Sequence, residues 1–136
     1  MVIKTRRLEI RYIESDDWKS LIEIWKDFNQ SEYSRYDIPH SLDETEVREK
    51  TKRWAEVSPY KEHMFFAVCN HKEMIGYIDF HKQDDGYECG YCFHSKFHGM
   101  GYAKESMRTL MERISEDGSN RFVVGTALNN LPSVKL

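Results

Sequence analysis

An α/β sandwich, built on a mixed, largely antiparallel sheet flanked by helices, is the fold class that this sequence predicts, and three observations predict it. Two amphipathic helical patterns come early, between residues 15 and 58. Three apolar and aromatic runs follow between residues 63 and 94, separated by turns so short that the runs must pair antiparallel. A last helical pattern then precedes a fourth run, "RFVVGTA" (121 to 127), a connection long enough for a parallel crossover.

Each element has a local reason. Leu8, Ile10 and Tyr12 alternate with charged residues, which predicts a strand over 7 to 13. Ser15 is placed to cap a helix in which Trp18, Leu21, Ile22, Trp25 and Phe28 recur at helical spacing, with Asp16 and Asp17 in the first turn. The stretch "SLDE" (41 to 44) reads as a capping box of Ser41 and Glu44. Leu42, Val47, Trp54 and Val57 form the apolar face behind it, and the helix is expected to end before Pro59. Then the period shortens to two. "HMFFAVCN" (63 to 70), "MIGYIDFHK" (74 to 82) and "YECGYCFH" (87 to 94) read as strands of a meander, joined by turns at "NHKE" and "QDDG". Ala103, Ser106, Met107, Leu110, Met111 and Ile114 line one face of a further helix, which Gly118 is placed to close.

Length and charge narrow the functions. The 136 residues show no repeat, linker or shift of composition, so residues 1–136 are expected to form one domain. With 20 basic and 23 acidic residues and a net charge of −3, no general attraction to nucleic acid or to an anionic membrane is expected. No apolar run approaches the roughly 20 residues of a membrane span. "MVIKTRRLEIRY" carries charges where a signal peptide has its hydrophobic stretch, so a cytoplasmic location is expected. Cys69, Cys89 and Cys92 read as reduced thiols. Cys89 and Cys92, with His94 and His98 nearby, invite a metal or redox reading. Strand alternation sends the two cysteines to opposite faces, however, so no metal is expected.

The most informative stretch is "HSKFHGMGYAKES" (94 to 106), where Gly99 and Gly101 lie between a strand and a helix that starts near Tyr102. Glycine lets the backbone approach a ligand closely, and the unpaired N–H groups of a helix start favour an anion, so a phosphate or pyrophosphate suits the place. A dinucleotide fingerprint would need a third glycine where Lys104 stands, and a P-loop would need a Gly-Lys-Ser/Thr end that is absent. The same glycines also suit a tight β–α turn that holds nothing.

The arrangement resembles the GNAT superfamily of N-acetyltransferases, whose acetyl-coenzyme A loop reads Gln/Arg-x-x-Gly-x-Gly/Ala. Here those positions are Lys96, Phe97, His98, Gly99, Met100 and Gly101, with lysine departing from the usual Gln or Arg. "MIGYIDF" is similar to the family's fourth strand, "YECGYCFH" to its Glu-x-Gly-Tyr fifth strand, and "NNLPS" to the Asn-x-x-Ser that opens its last helix. The opening "IKTRRLEIRYIESDD" most resembles the branch that includes acetyltransferases of ribosomal-protein N-terminal alanine or serine.

The resemblance implies acetyl transfer from acetyl-coenzyme A to a primary amine, a protein N-terminus or a small amine, by direct attack in a ternary complex without a metal. Residues 96 to 101 with Tyr102 and Ala103 would hold the coenzyme, and Asn130 would contact its pantetheine. Glu88 is the first candidate to take the amine's proton or hold its charge, with Asp79 and His81 beside Tyr77 as a second polar wall. Ser133 would assist the departing thiolate, although Asn130 and Ser133 equally suit a helix start. Backbone N–H groups where the fourth and fifth strands separate would stabilise the oxyanion. Tyr33, Tyr36 and His40 would border the acceptor. The family's last helix and strand continue beyond the equivalent of Leu136, so the resemblance implies a chain short of most of both. A homodimer that covers the open sheet is the expected consequence. The alternative is an impaired module that binds coenzyme A or a partner without turnover.

Overall fold

The charged and apolar alternation at the N-terminus folds as a hairpin rather than one strand. In the computed structural model, which describes residues 2–31, 39–116 and 121–124, β1 (Val2–Lys4) pairs antiparallel with β2 (Glu9–Tyr12), Ile3 opposite Ile10. A turn at Thr5–Leu8 joins them: the Thr5 N–H donates to the Leu8 carbonyl at 2.9 Å, and the Leu8 N–H donates to Thr5 Oγ1 at 3.0 Å.

Both early helices form where expected, but each is entered through a different residue. Ser15 begins a single 3-10 turn, Ser15–Asp17, ahead of α1 (Trp18–Gln30). The residue that holds this entry is Asp17, whose carboxylate accepts the Glu14 N–H at 2.7 Å and both terminal nitrogens of Arg11 at 2.8 and 2.9 Å. A charged, bidentate partner wins over a serine hydroxyl. Likewise α2 (Glu44–Val57) is capped by Asp43, which accepts the Glu46 N–H at 3.0 Å, while Ser41 Oγ accepts the Asp43 N–H at 3.3 Å. The expected Ser41–Glu44 box is thus replaced by an Asp43 cap two residues into the same motif. Leu42 falls outside the helix and is exposed, whereas Val47 is buried. Pro59 sits in a 3-10 turn, Ser58–Tyr60, and α2 ends before it.

The meander follows as β3 (His63–Asn70), β4 (Glu73–Gln83) and β5 (Gly86–Phe93), all antiparallel. After α3 (Tyr102–Ser115), β6 (Arg121–Val124) returns parallel to β5. The six strands therefore lie in sequence order with one parallel edge, the mixed, largely antiparallel sheet that was predicted. Gly118, the expected cap of α3, lies outside the described residues, as does the segment from 125 to 136 on which the homodimer expectation rests.

Strand alternation divides the core into two layers. Ile10, Phe66, Ile78, Phe80 and Cys89 pack with Met107, Leu110 and Ile114 of α3. On the other face Phe65, Ala67 and Tyr77 pack with Leu21, Ile24 and Trp25 of α1 and Val47 of α2. Cys89 belongs to the first layer and Cys92 packs against the second, so this C-x-x-C does not converge. Among the described residues no group of three or more His, Cys, Asp or Glu side chains is placed to hold a metal ion. No helix there is long and apolar enough to cross a membrane.

Candidate functional site

The strand β5 carries the site at both of its ends. Past Phe93 the chain makes one 3-10 turn, Ser95–Phe97, and then reaches Gly99 and Gly101, at φ 77° and 78°, before α3 begins. These are left-handed conformations that favour glycine. The turn uses its own early donors: the Phe97 N–H donates to the His94 carbonyl and the His98 N–H to the Ser95 carbonyl, both at 3.0 Å. Phe97 and His98 thus have no backbone donor left for a ligand. From Gly99 to Lys104 the N–H groups find no partner among the described residues. A Cβ on Gly99 would meet nothing within 4 Å, so the backbone at that residue is open to close approach. Residues Gly99, Met100, Gly101, Tyr102 and Ala103 therefore fit the diphosphate of a coenzyme through their backbone, helped by the positive end of α3. Lys96 points elsewhere, its ammonium 3.4 Å from Glu73 Oε1.

Two tethers hold the loop. Asp27 of α1 accepts the Ser95 N–H at 2.8 Å and its hydroxyl at 2.5 Å. Arg7, in the β1–β2 turn, donates through Nη1 to the Met100 carbonyl at 2.8 Å and through Nε to Glu105 Oε1 at 2.7 Å.

At the other end of β5 lies a polar cluster on the α1/α2 face. Glu88 is opposite His81 in the β4–β5 ladder, and Asp79 is opposite Gly90. His81 Nε2 is 3.0 Å from Asp79 Oδ1, and His81 Nδ1 is 2.9 Å from His63 Nδ1 on β3. The hydrogen bond to Asp79 raises the His81 pKa above its ordinary 6.5, against the opposing effect of burial. Both ring nitrogens of His81 are engaged, so His81 links Asp79 to the exposed His63 and has no free nitrogen for an incoming group. Glu88 is exposed and has no hydrogen bond or ion pair among the described residues. On the opposite face, burial pushes the Cys89 thiol up to about 12, which leaves it an inert core residue.

The structure brings Glu88, Asp79 and His81 together as the sequence reading grouped them, adds His63 and Gly90 to that cluster, and adds Arg7, Glu105 and Asp27 to the glycine loop. The sequence signal for Gly90 was its place in Glu-x-Gly-Tyr. Arg7 had none, because its partners lie 93 and 98 residues away. His40 stacks on Trp25 with centroids 4.4 Å apart, and its backbone is bonded both ways to the Asn29 side chain. Tyr33, Tyr36, Asn130 and Ser133 lie outside the described residues. One expectation is corrected: the strands of 74 to 82 and 87 to 94 do not separate. They pair without a break from Gly76–Phe93 to Gln83–Gly86, because the short turn between them holds the ladder closed.

Comparison with known proteins shows the family and the fold. The acetyltransferase (GNAT) domain family matches residues 7–136. The uncharacterized N-acetyltransferase YnaD of Bacillus subtilis (strain 168) is 28% identical over 141 residues, which span 100% of this chain and 79% of the relative. A solved GNAT-family acetyltransferase from Bacillus anthracis superposes with a TM-score of 0.80 at 27% identity, covering 99% of this chain and 79% of that one. The ribosomal L7/L12 alpha-N-protein acetyltransferase RimL, solved in complex with coenzyme A, shares the fold with a TM-score of 0.81 at 19% identity, covering 99% of this chain and 80% of that one.

Proposed function

The chain belongs to the GNAT acetyltransferase domain family, and from that premise we propose that it transfers an acetyl group from acetyl-coenzyme A to a primary amine by direct attack in a ternary complex. A protein N-terminus or a small amine is the acceptor. The observation that carries the reading is the pairing of two features on β5: the unpartnered N–H row of 99 to 104 beyond its C-terminal end, and the exposed Glu88 near its start. By strand rise Glu88 and Phe93 are about 17 Å apart, so one rigid element spaces the anion cradle from the carboxylate.

Acetyl-coenzyme A, when bound, supplies the acetyl group as an activated thioester. Everything else falls to the chain. The backbone of 99 to 104 and the α3 dipole hold the diphosphate. Glu88 attracts the cationic amine and takes its proton, since only the neutral amine is nucleophilic. Asp79 is the second carboxylate within the cluster, and His81 with His63 leads a proton from it toward solvent. Cys69 and Cys89 are buried thiols held in no disulfide, which suits a reducing, cytoplasmic setting.

Acetyl-coenzyme A consumption with a panel of amines tests this. Peptides that begin with alanine or serine, a polyamine and an aminoglycoside cover the acceptor classes. The expected result is coenzyme A release matched by acetylated amine. Binding of coenzyme A without turnover on any member would leave the module reading in its place.

A further inference from the structure

Thr5, Arg7 and Glu105 form a junction between the β1–β2 turn and the first turn of α3, and nothing in the acetyl-transfer chemistry requires a carboxylate there. Glu105 presents a problem for an anion site. Its charge favours the free helix, being near the positive end of α3, but for the same reason it opposes a diphosphate at that end. Burial pushes the Glu105 pKa up, yet the hydrogen bonds from Thr5 and Arg7 outweigh this and hold the carboxyl below its usual range, so it is ionised. Both of its oxygens are engaged: Oε1 accepts Arg7 Nε at 2.7 Å, and Oε2 accepts the Thr5 hydroxyl at 2.5 Å and the Arg7 N–H at 3.2 Å.

The same guanidinium reaches the loop. Nη1 donates to the Met100 carbonyl at 2.8 Å, the guanidinium carbon lies 4.5 Å over the Tyr102 ring, and Nη2 is 3.4 Å from where a Cβ on Gly101 would stand. In a trans peptide the carbonyl and the following N–H point in opposite directions. Fixing the Met100 carbonyl on Arg7 therefore aims the Gly101 N–H away from Arg7. We infer that Arg7 is the positioning residue of the anion loop, aiming the Gly101 N–H through the Met100 carbonyl while neutralising Glu105 beside the diphosphate. This rests on the acetyl-coenzyme A reading for the identity of the anion.

The test uses the full chain and two readouts. In the free protein, Arg7→Ala is expected to lower the NMR backbone order parameters of residues 99 to 104 while those of the strands β3 to β5 stay unchanged. By calorimetry the same variant is expected to bind coenzyme A about tenfold more weakly or worse, the scale of a lost charge-assisted contact. Arg7→Lys keeps the charge without the planar fork, so it too is expected to lose loop order, and it serves if the alanine variant does not fold. Unchanged loop order parameters in a folded Arg7 variant overturn the inference, whatever happens to affinity, because the residue would then act on the ligand directly or not at all. A wild-type chain that does not bind coenzyme A overturns the functional reading instead, and the order parameters still decide whether Arg7 orders the loop.

Discussion

Gly90 lies directly opposite Asp79 in the β4–β5 ladder, and a Cβ in its place would stand 3.0 Å from Oδ1 and 3.3 Å from Oδ2 of that carboxylate. The glycine is there for room rather than for an unusual backbone angle. Space across the ladder lets Asp79 lie against the sheet and meet His81 at 3.0 Å.

Gly90→Ala is therefore expected to displace the carboxylate and loosen its bond to the imidazole. With that bond weakened, the His81 pKa falls back toward 6.5. An NMR titration of the His81 ring measures it directly. An unshifted titration in a folded variant would show that Asp79 accommodates the methyl without moving.

The same pair makes stability depend on pH with a definite sign. His81 titrates higher in the folded protein than its ordinary 6.5, so between those values the folded state binds more protons than the unfolded state. The contribution is fully present below pH 6.5 and is lost as pH rises through the raised value. Comparing urea midpoints of wild type and Asp79→Asn from pH 5 to 9 is expected to show a gap that narrows with rising pH. The effect is small, because the imidazole is 33% exposed and solvent screens it. A gap that widened above pH 6.5 would contradict the assignment.

Glu88→Gln is expected to lower turnover on the order of 10²-fold while leaving coenzyme A affinity near wild type. The separation follows from distance, since the proposed proton acceptor and the anion loop lie at opposite ends of β5. Steady-state rates across pH 6 to 9, with calorimetry on the same protein, check both halves. A wild-type rate throughout would shift the proton to Asp79.

Gly101→Val places a β-branched residue at φ 78°, in a region that costs an L-residue roughly 1–2 kcal/mol, and brings a side chain toward Arg7 Nη2. Coenzyme A binding is expected to weaken about tenfold or more. The core layers do not include this residue, so circular dichroism should change little and the thermal midpoint should fall only by the few degrees that the strain costs. Unchanged affinity in the folded variant would move the diphosphate off this loop.

The sequence by itself determined the order of elements from β2 onward, though not the short strand β1, together with the three meander strands to within a residue or so, the start of α3 at Tyr102 and the glycine pair before it. Those are local matters: period-two runs, short turns and the spacing of apolar residues leave few alternatives over six to twelve positions. The opposite faces of Cys89 and Cys92 were legible for the same reason. Tertiary structure decided the rest. Ser15 and Ser41 were sound cap candidates, but Asp17 and Asp43 took the role. Arg11 reaches Asp17 from the neighbouring strand, while α2 begins where Val47 can enter the core. The contact of His63 with His81 follows from the β3–β4 register, which pairs these residues across the ladder, and no pattern within either strand states it. Arg7 lies 93 residues from Met100, and only the packing of the β1–β2 turn beside α3 brings them to 2.8 Å. Local chemistry sets which backbone each segment adopts, whereas side-chain partners across the sheet depend on register and on how layers stack, which the whole chain must settle together.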